Sequence, residues 1–470
     1  MERIAPRRAW AAALLGVLAL AALPRAACLR TEPWLDEVWS IGLARSAATA
    51  ADVFSIREDN SNPLNTLYLH FVSGSRDWAV YRLLSLSAGL LTIALLGRDP
   101  EDRARGLLAA ALAAVSTQMT LYATEARGYA PAAFFAVAAY RLQRGPPTRA
   151  RGAAFAACVL LGFMSHPTFA YIYAALFVRA AVKLPIERRV GGLLAEFGPA
   201  TAAVALFELI ARPTFVGGAE PNGFGRVILS TLALWSGASG GGFAAWTGAG
   251  ALLALLGWEL RSLRGERPDE FAFFCALSAG ACVFVAIFPY RFERHFFVAL
   301  PFALMVVARG LKHLYSEGGA KRALAVVLAV LFVIGNSVRV RALATQGRGH
   351  YLEAVLRMAE DTPNDVITVA SDHDNRNRRM LEFYSAYLPP GKRLEYVSAP
   401  RRLASPPEWF LLHGFSTDPR RAPVAVSLSS AAYFPLVDVY PYGGLSGWTW
   451  MLYRRGPAPE GTRPFPNKGP

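Results

Sequence analysis

The sequence predicts an α-helical membrane protein with many transmembrane segments and a small soluble α/β domain at its C-terminal end. Of the 470 residues, 54% are hydrophobic and 18% are charged. Long apolar runs recur through the first 340 residues, separated by short polar or basic stretches, and mixed charge with proline replaces them from about residue 347. Because lipid offers no partner to a bare backbone amide, such runs must cross the membrane as helices.

The apolar runs correspond to about eleven spans. The first lies at about 9–29, and a polar stretch at 30–77 follows it. Further spans are expected at about 79–97, 106–123, 128–140, 152–164, 167–182, 191–211, 243–260, 271–288, 294–311 and 322–340. Amphipathic runs at 38–43 and 64–72 are typical of helices on the membrane surface. The short run at 227–235 indicates a re-entrant or interfacial helix.

The formal net charge of +15 is concentrated in short loops between apolar runs. Membrane topology explains this distribution better than a nucleic-acid partner does. If the N-terminus is cytoplasmic, every loop expected inside contains several Lys or Arg residues. Arg25 argues against cleavage of the first apolar run, so we expect an uncleaved anchor. The stretch 30–77 and the C-terminal domain are then outside.

Three regions are expected along the chain. Residues 1–346 form the transmembrane domain, with 30–77 as its first outer loop. Residues 347–455 form the α/β domain, with a helix at 351–360, a strand at 365–370 and a helix at 376–387. Residues 456–470 are rich in Pro and Gly and are expected to be disordered. We interpret Asp372-His373-Asp374 as a polar loop after a strand, because three consecutive residues rarely face one ion.

An acidic pair, Asp36 and Glu37, lies between Trp34 and Trp39 just after the first span. Tryptophan rings favour the membrane interface, so the pair is held at a defined depth. A carboxylate there is partly desolvated, which raises its pKa and suits it to act as a base. The alternative is a solvated pair that caps the following helix, with Asp36 as the N-cap. The residues alone leave both interpretations open.

Several polar side chains lie at other outward turns. Glu125 and Arg127 are at the end of a hairpin between two spans, where Arg127 suits a lipid phosphate and a structural ion pair is the alternative. His166 lies between two spans and is a candidate ligand for phosphate or metal, although a lone histidine is more often only hydrogen-bonded. Asn62 precedes Pro63 at a turn and is a candidate hydrogen-bond donor to substrate.

Arg291 and Arg294 depart from the positive-inside pattern at a third outward turn. Their position is where a lipid phosphate meets the protein. His295 follows directly and belongs to the same candidate site. The alternative is ordinary headgroup contact or an internal pair with Glu293.

These motifs together resemble the bacterial GT-C glycosyltransferases, in the branch of protein O-mannosyltransferases and aminoarabinose transferases. The resemblance covers roughly residues 1–340, and the first outer loop is its most specific part. The segments that carry it are Trp34-Leu35-Asp36-Glu37-Val38-Trp39, Asn62-Pro63-Leu64, Tyr81-Arg82-Leu83-Leu84-Ser85, Glu125-Ala126-Arg127-Gly128-Tyr129 and Arg294-His295-Phe296.

The resemblance implies transfer of a sugar from a polyprenyl-phosphate donor to an acceptor hydroxyl, with inversion, on the outer face of the bacterial cytoplasmic membrane. Asp36 would deprotonate the acceptor hydroxyl, with Glu37 orienting Asp36 or the acceptor. Arg127 and Arg294, with Arg291 in reserve, would neutralise the departing phosphate. Binding of a divalent cation, Mg²⁺ or Mn²⁺, at the acidic pair is an open alternative. The acceptor is a glycan, a lipid or a protein.

Two other classes of function are alternatives. In a proton-coupled transporter or lipid flippase, Asp36, Glu125 and Glu293 would relay protons. Transporters usually place such groups near the bilayer midplane in repeated halves, whereas these lie at the outer face of a chain without an apparent repeat. A non-catalytic partner in an envelope assembly would also account for the C-terminal domain. The glycosyltransferase is the leading hypothesis.

Overall fold

A computed structural model describes residues 5–58, 60–211, 222–238, 242–287, 291–402, 404–429 and 432–457. The chain forms two compact units. The membrane unit comprises Met1–Leu29 and Ser40–Val340, and the sheet unit comprises Arg30–Trp39 and Arg341–Pro470. Most of the expected disordered tail, residues 458–470, lies outside the described residues.

Fifteen α-helices are described up to residue 346, and each apolar run expected to span the membrane coincides with one or two of them. They are α1 (Ala5–Leu29), α2 (Leu35–Ser46), α3 (Pro63–Val72), α4 (Trp78–Gly97), α5 (Arg103–Val115), α6 (Thr117–Ala123), α7 (Tyr129–Gln143), α8 (Arg149–Ser165), α9 (Phe169–Lys183), α10 (Arg189–Ala211), α11 (Phe224–Ser236), α12 (Phe243–Glu266), α13 (Pro268–Ile287), α14 (Leu300–Glu317) and α15 (Gly319–Gln346). A 3₁₀ helix, Glu293–Ala299, leads into α14.

The described helices include seven that are long and apolar enough to cross a membrane, or eight if α5 and α6 form one bent span. The seven contain α1, α4, α10, α12, α13, α14 and α15. Helices α7, α8 and α9 are 15 to 17 residues long. Adding these three to the eight would reach the expected eleven, which stays a prediction. Helix α11 matches the short run at 227–235, and its re-entrant placement also stays a prediction.

One expected span is broken. The run at 106–123 forms α5 and α6, which meet at an angle of 67°. A break exposes carbonyls at the end of one helix and N–H groups at the start of the next. The fully buried Arg25 donates to the carbonyls of Ala113 and Ala114 at 3.3 and 3.0 Å. Asn336 accepts from the backbone N–H of Thr117 at 2.7 Å. Side chains from two distant helices therefore stabilise the break.

The sheet unit contains a six-stranded mixed sheet and two further helices. Its elements are α16 (Tyr351–Asp361), β1 (Val366–Ser371), α17 (Asp374–Ser385), β2 (Arg393–Tyr396), β3 (Trp409–Gly414), β4 (Ala425–Ser429), β5 (Ala432–Tyr440) and β6 (Thr449–Arg454). The strand order is β2-β1-β3-β6-β5-β4. Strands β2, β1 and β3 are parallel, and the pairings from β3 through β6 and β5 to β4 are antiparallel.

Two tryptophans dominate the core of the sheet unit. Trp409 and Trp450 are fully buried. Their indole N–H groups donate to Thr362 Oγ1 at 2.8 Å and to Asn377 Oδ1 at 2.9 Å. A buried indole with its donor satisfied contributes a large apolar area without an unpaired polar group. The domain therefore has a specific core of its own, as the sequence predicts for a soluble α/β domain.

Candidate functional site

Three of the predicted turns meet within the membrane unit. The ring of Tyr129, at the start of α7, lies on His166, with 4.1 Å between ring centroids. Tyr122, near the end of α6, contacts both Tyr129 and Phe297, at 4.9 and 4.4 Å. Since Phe297 belongs to the 3₁₀ helix that begins at Glu293, these aromatic contacts join the turns before α7, α9 and α14. We call this junction the turn cluster.

Gly128 shows how closely the turns approach. A Cβ atom at this residue would lie 1.7 Å from the carbonyl oxygen of Ser165 and 3.1 Å from Asn62 Cβ. No side chain fits where backbone approaches that closely, so glycine is required here. The contact also brings the turn after Asn62 into the turn cluster, and Asn62 is only 3% exposed.

The turn that contains Glu125 and Arg127 is held by its backbone. Asn65 Nδ2 donates to the carbonyl of Ala126 at 2.9 Å. Ser85 Oγ donates to the carbonyl of Arg127 at 2.9 Å. The Glu125 and Arg127 side chains are 1% and 4% exposed. Two charged side chains are therefore fixed in a buried position, where charges are costly unless paired or functional.

His166 is neutral in this environment. Burial lowers the pKa of the imidazole well below its usual value, and the charges of His295, Arg127 and Arg294 lower it further. Its Nδ1 accepts from the backbone N–H of Thr168 at 3.2 Å, so the neutral ring has its proton on Nε2. His166 can therefore donate a hydrogen bond without adding charge.

The two arginines of the third turn differ in their surroundings. The guanidinium of Arg294 lies 4.4 Å from the ring centroid of Phe292. Tyr171 donates to the carbonyl of the next residue, His295, at 3.0 Å, which fixes the turn. Arg291 instead donates to the carbonyl of Ala286 at 3.2 Å. The structure therefore places Arg294 and His295 in the turn cluster, whereas its contacts tie Arg291 to the end of α13.

Glu293 is bonded to a neighbouring helix. Its carboxylate accepts a hydrogen bond from Ser230 Oγ, on α11, at 2.5 Å. Within the described ranges, Glu293 makes no ion pair with Arg291. Helix α11 is thus tied to the start of the 3₁₀ helix that precedes α14.

The acidic pair belongs to the sheet unit. Helix α2 begins at Leu35, so Asp36 is its second residue and does not occupy the N-cap position. Glu37 is fully buried and accepts from the backbone N–H of Trp34 at 3.4 Å, as the third residue of a capping box does. Asp36 is only partly buried. The helix-capping function considered for Asp36 is performed by Glu37.

Arg348 is a functional candidate that the sequence did not indicate. It is fully buried, and its Nε lies 3.8 Å from Glu37 Oε2. Its Nη1 donates to Thr31 Oγ1 at 2.7 Å. Arg348 follows the end of α15 in a Gly-Arg-Gly sequence, which by itself looks like an ordinary basic loop. Its burial, and its pairing with a residue 311 positions earlier in the chain, follow from the fold and are not visible in the local sequence.

Further contacts hold residues 30–39 within the sheet unit. Tyr384, on α17, donates to the carbonyl of Pro33 at 2.6 Å. The guanidinium of Arg379, one turn earlier, lies 4.4 Å from the ring centroid of Trp39. We call residues 30–39, with these contacts, the acidic segment. Sequence alone assigned it to the first outer loop of the transmembrane domain, whereas its packing is with the C-terminal residues.

Glu32 gives the acidic segment a pH dependence. Its carboxylate accepts from the backbone N–H of Leu352, at the start of α16, at 2.7 Å. Burial raises the pKa of Glu32 from 4.5 to about 7, and this outweighs the backbone N–H groups, which favour the anion. A raised folded-state pKa contributes stability below about pH 4.5, and this stability is lost as the pH rises through about 7.

We therefore expect the amides of residues 31–39 to exchange with solvent faster as the pH rises from 6 to 8.5, beyond the intrinsic rate increase. Hydrogen exchange followed by mass spectrometry measures this. Glu32→Gln should remove the excess pH dependence, because the amide cannot ionise. Glu360→Gln, at an exposed position on α16, should leave it unchanged. An unaltered pH dependence in Glu32→Gln would contradict the assignment.

The described residues contain no group of three or more His, Cys, Asp or Glu side chains placed to hold a metal ion. Glu37 is already engaged by Arg348 and by the start of α2. Mg²⁺ or Mn²⁺ binding at the acidic pair stays a prediction.

No protein-family model and no curated protein matches the chain. Solved structures do. ArnT from Cupriavidus metallidurans in the apo state matches with a TM-score of 0.54 and 12% identity, over 93% of this chain and 97% of that chain. ArnT bound to undecaprenyl phosphate matches with a TM-score of 0.51 and 13% identity, over 94% and 97%. An archaeal oligosaccharyltransferase, AglB from Archaeoglobus fulgidus, matches with a TM-score of 0.48 and 14% identity, over 85% and 69%.

The similarity to ArnT extends over nearly the whole of both chains, so it includes the membrane helices and the C-terminal sheet. At these identities it concerns the fold. The GT-C fold implied by the sequence motifs is confirmed, and so is the predicted class of a helical membrane protein with a small C-terminal α/β domain.

Proposed function

We propose that this chain, which has the GT-C fold, is an inverting glycosyltransferase that transfers a sugar from a polyprenyl-phosphate donor to an acceptor hydroxyl. The observation that carries the proposal is the turn cluster. Asn62, Glu125, Arg127, His166 and Arg294 were chosen from separate loops by their chemistry, and the fold brings these loops together. That undecaprenyl phosphate binds ArnT, a protein of the same fold, supports the same class of lipid carrier here.

The turn cluster suits a phosphate. Arg127 and Arg294 supply guanidinium groups, whose planar forks match phosphate oxygens, and neutral His166 supplies a further donor. Both arginines lie beside aromatic rings, at 5.5 Å from Tyr129 and 4.4 Å from Phe292, which limits their rotamers. His295 adds a second buried imidazole. We propose that these groups hold the phosphate of the donor, with Glu125 and Asn62 positioning the arginine turn.

In the proposed reaction, Asp36 accepts the proton of the acceptor hydroxyl. The hydroxyl oxygen forms a bond to the anomeric carbon as the bond to the phosphate oxygen breaks from the opposite side, which inverts the configuration. The electrons of the broken bond remain on the polyprenyl phosphate. Because phosphate is a good leaving group and arginines stabilise its charge, no general acid is needed.

Glu37 has a different role from Asp36 in this proposal. Its carboxylate is fully buried against Arg348 and the start of α2. It therefore orients the helix turn that presents Asp36 and is not itself the base. We place the reaction on the outer face of a bacterial cytoplasmic membrane, on the basis of the loop charges. The acceptor in this proposal is a glycan, a lipid or a protein.

The donor site is tested by lipid binding. Arg127→Ala should weaken binding of undecaprenyl phosphate to the purified protein in nanodiscs by about 10- to 100-fold, since a hydrogen bond to a charged group contributes about 1.5–3 kcal/mol. Arg127→Lys, which retains the charge but not the planar guanidinium, should lose less affinity for the lipid. Arg264→Ala, at an exposed site in the last turn of α12, is the control and should bind as the wild type does.

The same preparations test whether the lipid is a natural ligand. Mass spectrometry of the wild-type protein should detect a co-purified polyprenyl phosphate, and the amount should fall in Arg127→Ala. The thermal transition of each variant shows whether it is folded. Wild-type lipid affinity in a folded Arg127→Ala protein would contradict the assignment of the turn cluster as the phosphate site.

A further inference from the structure

The sheet unit has a topological feature that neither the turn cluster nor the acidic segment uses. Strand β1 lies between β2 and β3, and all three are parallel. The chain passes from β1 through α17 to β2 on one side, then returns to β3 on the other. At such a reversal the connections leave a crevice outside the carboxyl ends of the strands, where ligands of open α/β sheets bind. We call this place the carboxyl edge.

The carboxyl edge has a polar pair at its centre. Asp372 follows β1, and its Oδ2 lies 2.8 Å from Nδ1 of His413, near the end of β3. Asn377, on α17, donates to the other oxygen of Asp372 at 2.9 Å. The backbone N–H of His413 also points to Asp372 Oδ2, at 3.4 Å. The orientation of both side chains is therefore set by the fold.

Two histidine rings lie at the carboxyl edge. Nδ1 of His413 donates to the carboxylate of Asp372. Nδ1 of His373 accepts from the backbone N–H of Arg376 at 3.3 Å, so its Nε2 has the proton and is a donor. Neither Nε2 atom makes a hydrogen bond within the described residues. The ring centroids are 5.9 Å apart.

Burial lowers the pKa of His373, and the neighbouring Arg376 and His413 lower it further. The ring is therefore neutral at pH 7 and keeps its donor and acceptor distinct. The Nε2–H donor of His373 and the carboxylate oxygens of Asp372 together complement a hydroxyl group, which both accepts and donates. The Asp372 carboxylate beside them disfavours a phosphate or a carboxylate ligand. The polar chemistry thus selects a neutral, hydroxyl-bearing ligand.

An aromatic surface adjoins the histidines. Phe415 is 67% exposed, and its ring lies 6.1 Å from that of His413. The ring of Trp448 packs on both, with its centroid 5.3 Å from that of His413 and 6.4 Å from that of Phe415. Trp448 is 3% exposed, and its indole N–H has no acceptor within the described residues. A large exposed ring beside a buried donor without an acceptor is unusual for a surface with no ligand.

We propose that the carboxyl edge is a binding site for a sugar ring of the acceptor. Sugar hydroxyls would bond His373, His413 and Asp372, and the C–H face of the ring would pack on Phe415, because aromatic faces are electron-rich. This inference rests on the proposed function, and it narrows the acceptor to a glycan or glycolipid. The contacts are all within the sheet unit, which makes that unit an acceptor-recognition domain.

The test is binding of the full-length protein, in nanodiscs, to an array of bacterial envelope saccharides. The wild type should bind at least one saccharide class, and Phe415→Ala should weaken that binding at least 10-fold. His413→Leu should do the same. Val424→Ala, at a position 85% exposed in the same unit, is the control and should bind as the wild type does. The thermal transition of each variant shows whether it is folded. Because Phe415 is exposed, its replacement by alanine should leave the fold intact.

Three outcomes would overturn the inference. These are no saccharide bound by the wild type, binding unchanged in Phe415→Ala, and displacement of the bound saccharide by millimolar inorganic phosphate, which would indicate an anion site. The proposed transferase activity is judged separately, by sugar loss from the donor lipid. If transfer depends on Asp36 while saccharide binding is independent of Phe415, only the present inference fails. If Asp36 is dispensable, the proposed function fails whatever the array shows.

Discussion

Asp36→Asn should abolish sugar transfer while leaving donor binding intact. Asparagine has nearly the same shape but cannot accept the proton of the acceptor hydroxyl. A positioned general base contributes about 10²- to 10⁴-fold to the rate, so we expect a fall of at least about 100-fold. The measurement is transfer of labelled sugar from polyprenyl-phosphate-linked hexoses and pentoses, in nanodiscs, to a membrane extract. Undecaprenyl phosphate affinity should change by less than about twofold.

A carboxyl-to-amide exchange elsewhere in the sheet unit provides the matched control. Glu395, exposed on strand β2, is suitable, and Glu395→Gln should transfer at the wild-type rate. Full transfer by Asp36→Asn would exclude Asp36 as the base. Proton-coupled uptake of a substrate into liposomes, lost in Asp36→Asn, would favour a transporter instead. Association with a stable partner, together with indifference to Asp36→Asn, would favour a non-catalytic envelope protein.

Arg348→Met should release the acidic segment and reduce transfer severely. Removing one member of a buried ion pair leaves the other charge buried without compensation, which costs about 3–5 kcal/mol. Here that charge is Glu37, one residue from the proposed base. We expect hydrogen exchange at residues 31–39 to increase at least 10-fold and transfer to fall with it. Arg348→Lys, which keeps a cation, should retain part of the protection from exchange and part of the transfer activity.

A double substitution separates this effect from general damage. Glu37→Gln removes the uncompensated charge, so Arg348→Met combined with Glu37→Gln should exchange more slowly than Arg348→Met alone. Arg357→Met, which breaks an exposed pair with Asp361 on α16, should have little effect because surface pairs contribute about 0–1 kcal/mol. If the Arg348→Met protein keeps wild-type protection at residues 31–39, Arg348 does not position the acidic segment.

This arrangement also changes the prediction for the C-terminal domain. The sequence alone predicts that deletion of residues 347–470 removes acceptor recognition and spares donor binding. The contacts of Arg348, Leu352 and Tyr384 with the acidic segment add a second loss, because Asp36 would no longer be held. The deletion should therefore abolish the chemical step as well, while the turn cluster retains lipid binding.

The helices of the membrane unit could be predicted because the requirement behind them is local. A run of apolar residues in lipid must satisfy its own backbone, and a helix does so with near neighbours in sequence. The break between α5 and α6 was missed, although a signal was present. Ser116 is an N-cap residue inside an apolar run, and its Oγ accepts from the N–H of Met119. Arg25 and Asn336, which stabilise the break, are not recognisable from the local sequence.

The candidate site likewise has one part that the sequence indicates and another that depends on the fold. Charge types and loop positions indicate Arg127, His166 and Arg294 as candidates, because polar residues at the ends of spans are costly unless they have a function. Their meeting in one cluster depends on helix packing, and the exclusion of a side chain at Gly128 shows how exact that packing is.

The different surroundings of Asp36 and Glu37 are decided only by the tertiary structure. In the sequence they are adjacent carboxylates with the same neighbours, and nothing local distinguishes a base from a cap. The sequence determined that an acidic pair follows the first span. The fold determined that Glu37 is buried against Arg348 while Asp36 stays partly accessible. A buried charge requires a compensating partner, and which residue can supply it is set by three-dimensional proximity and not by sequence distance.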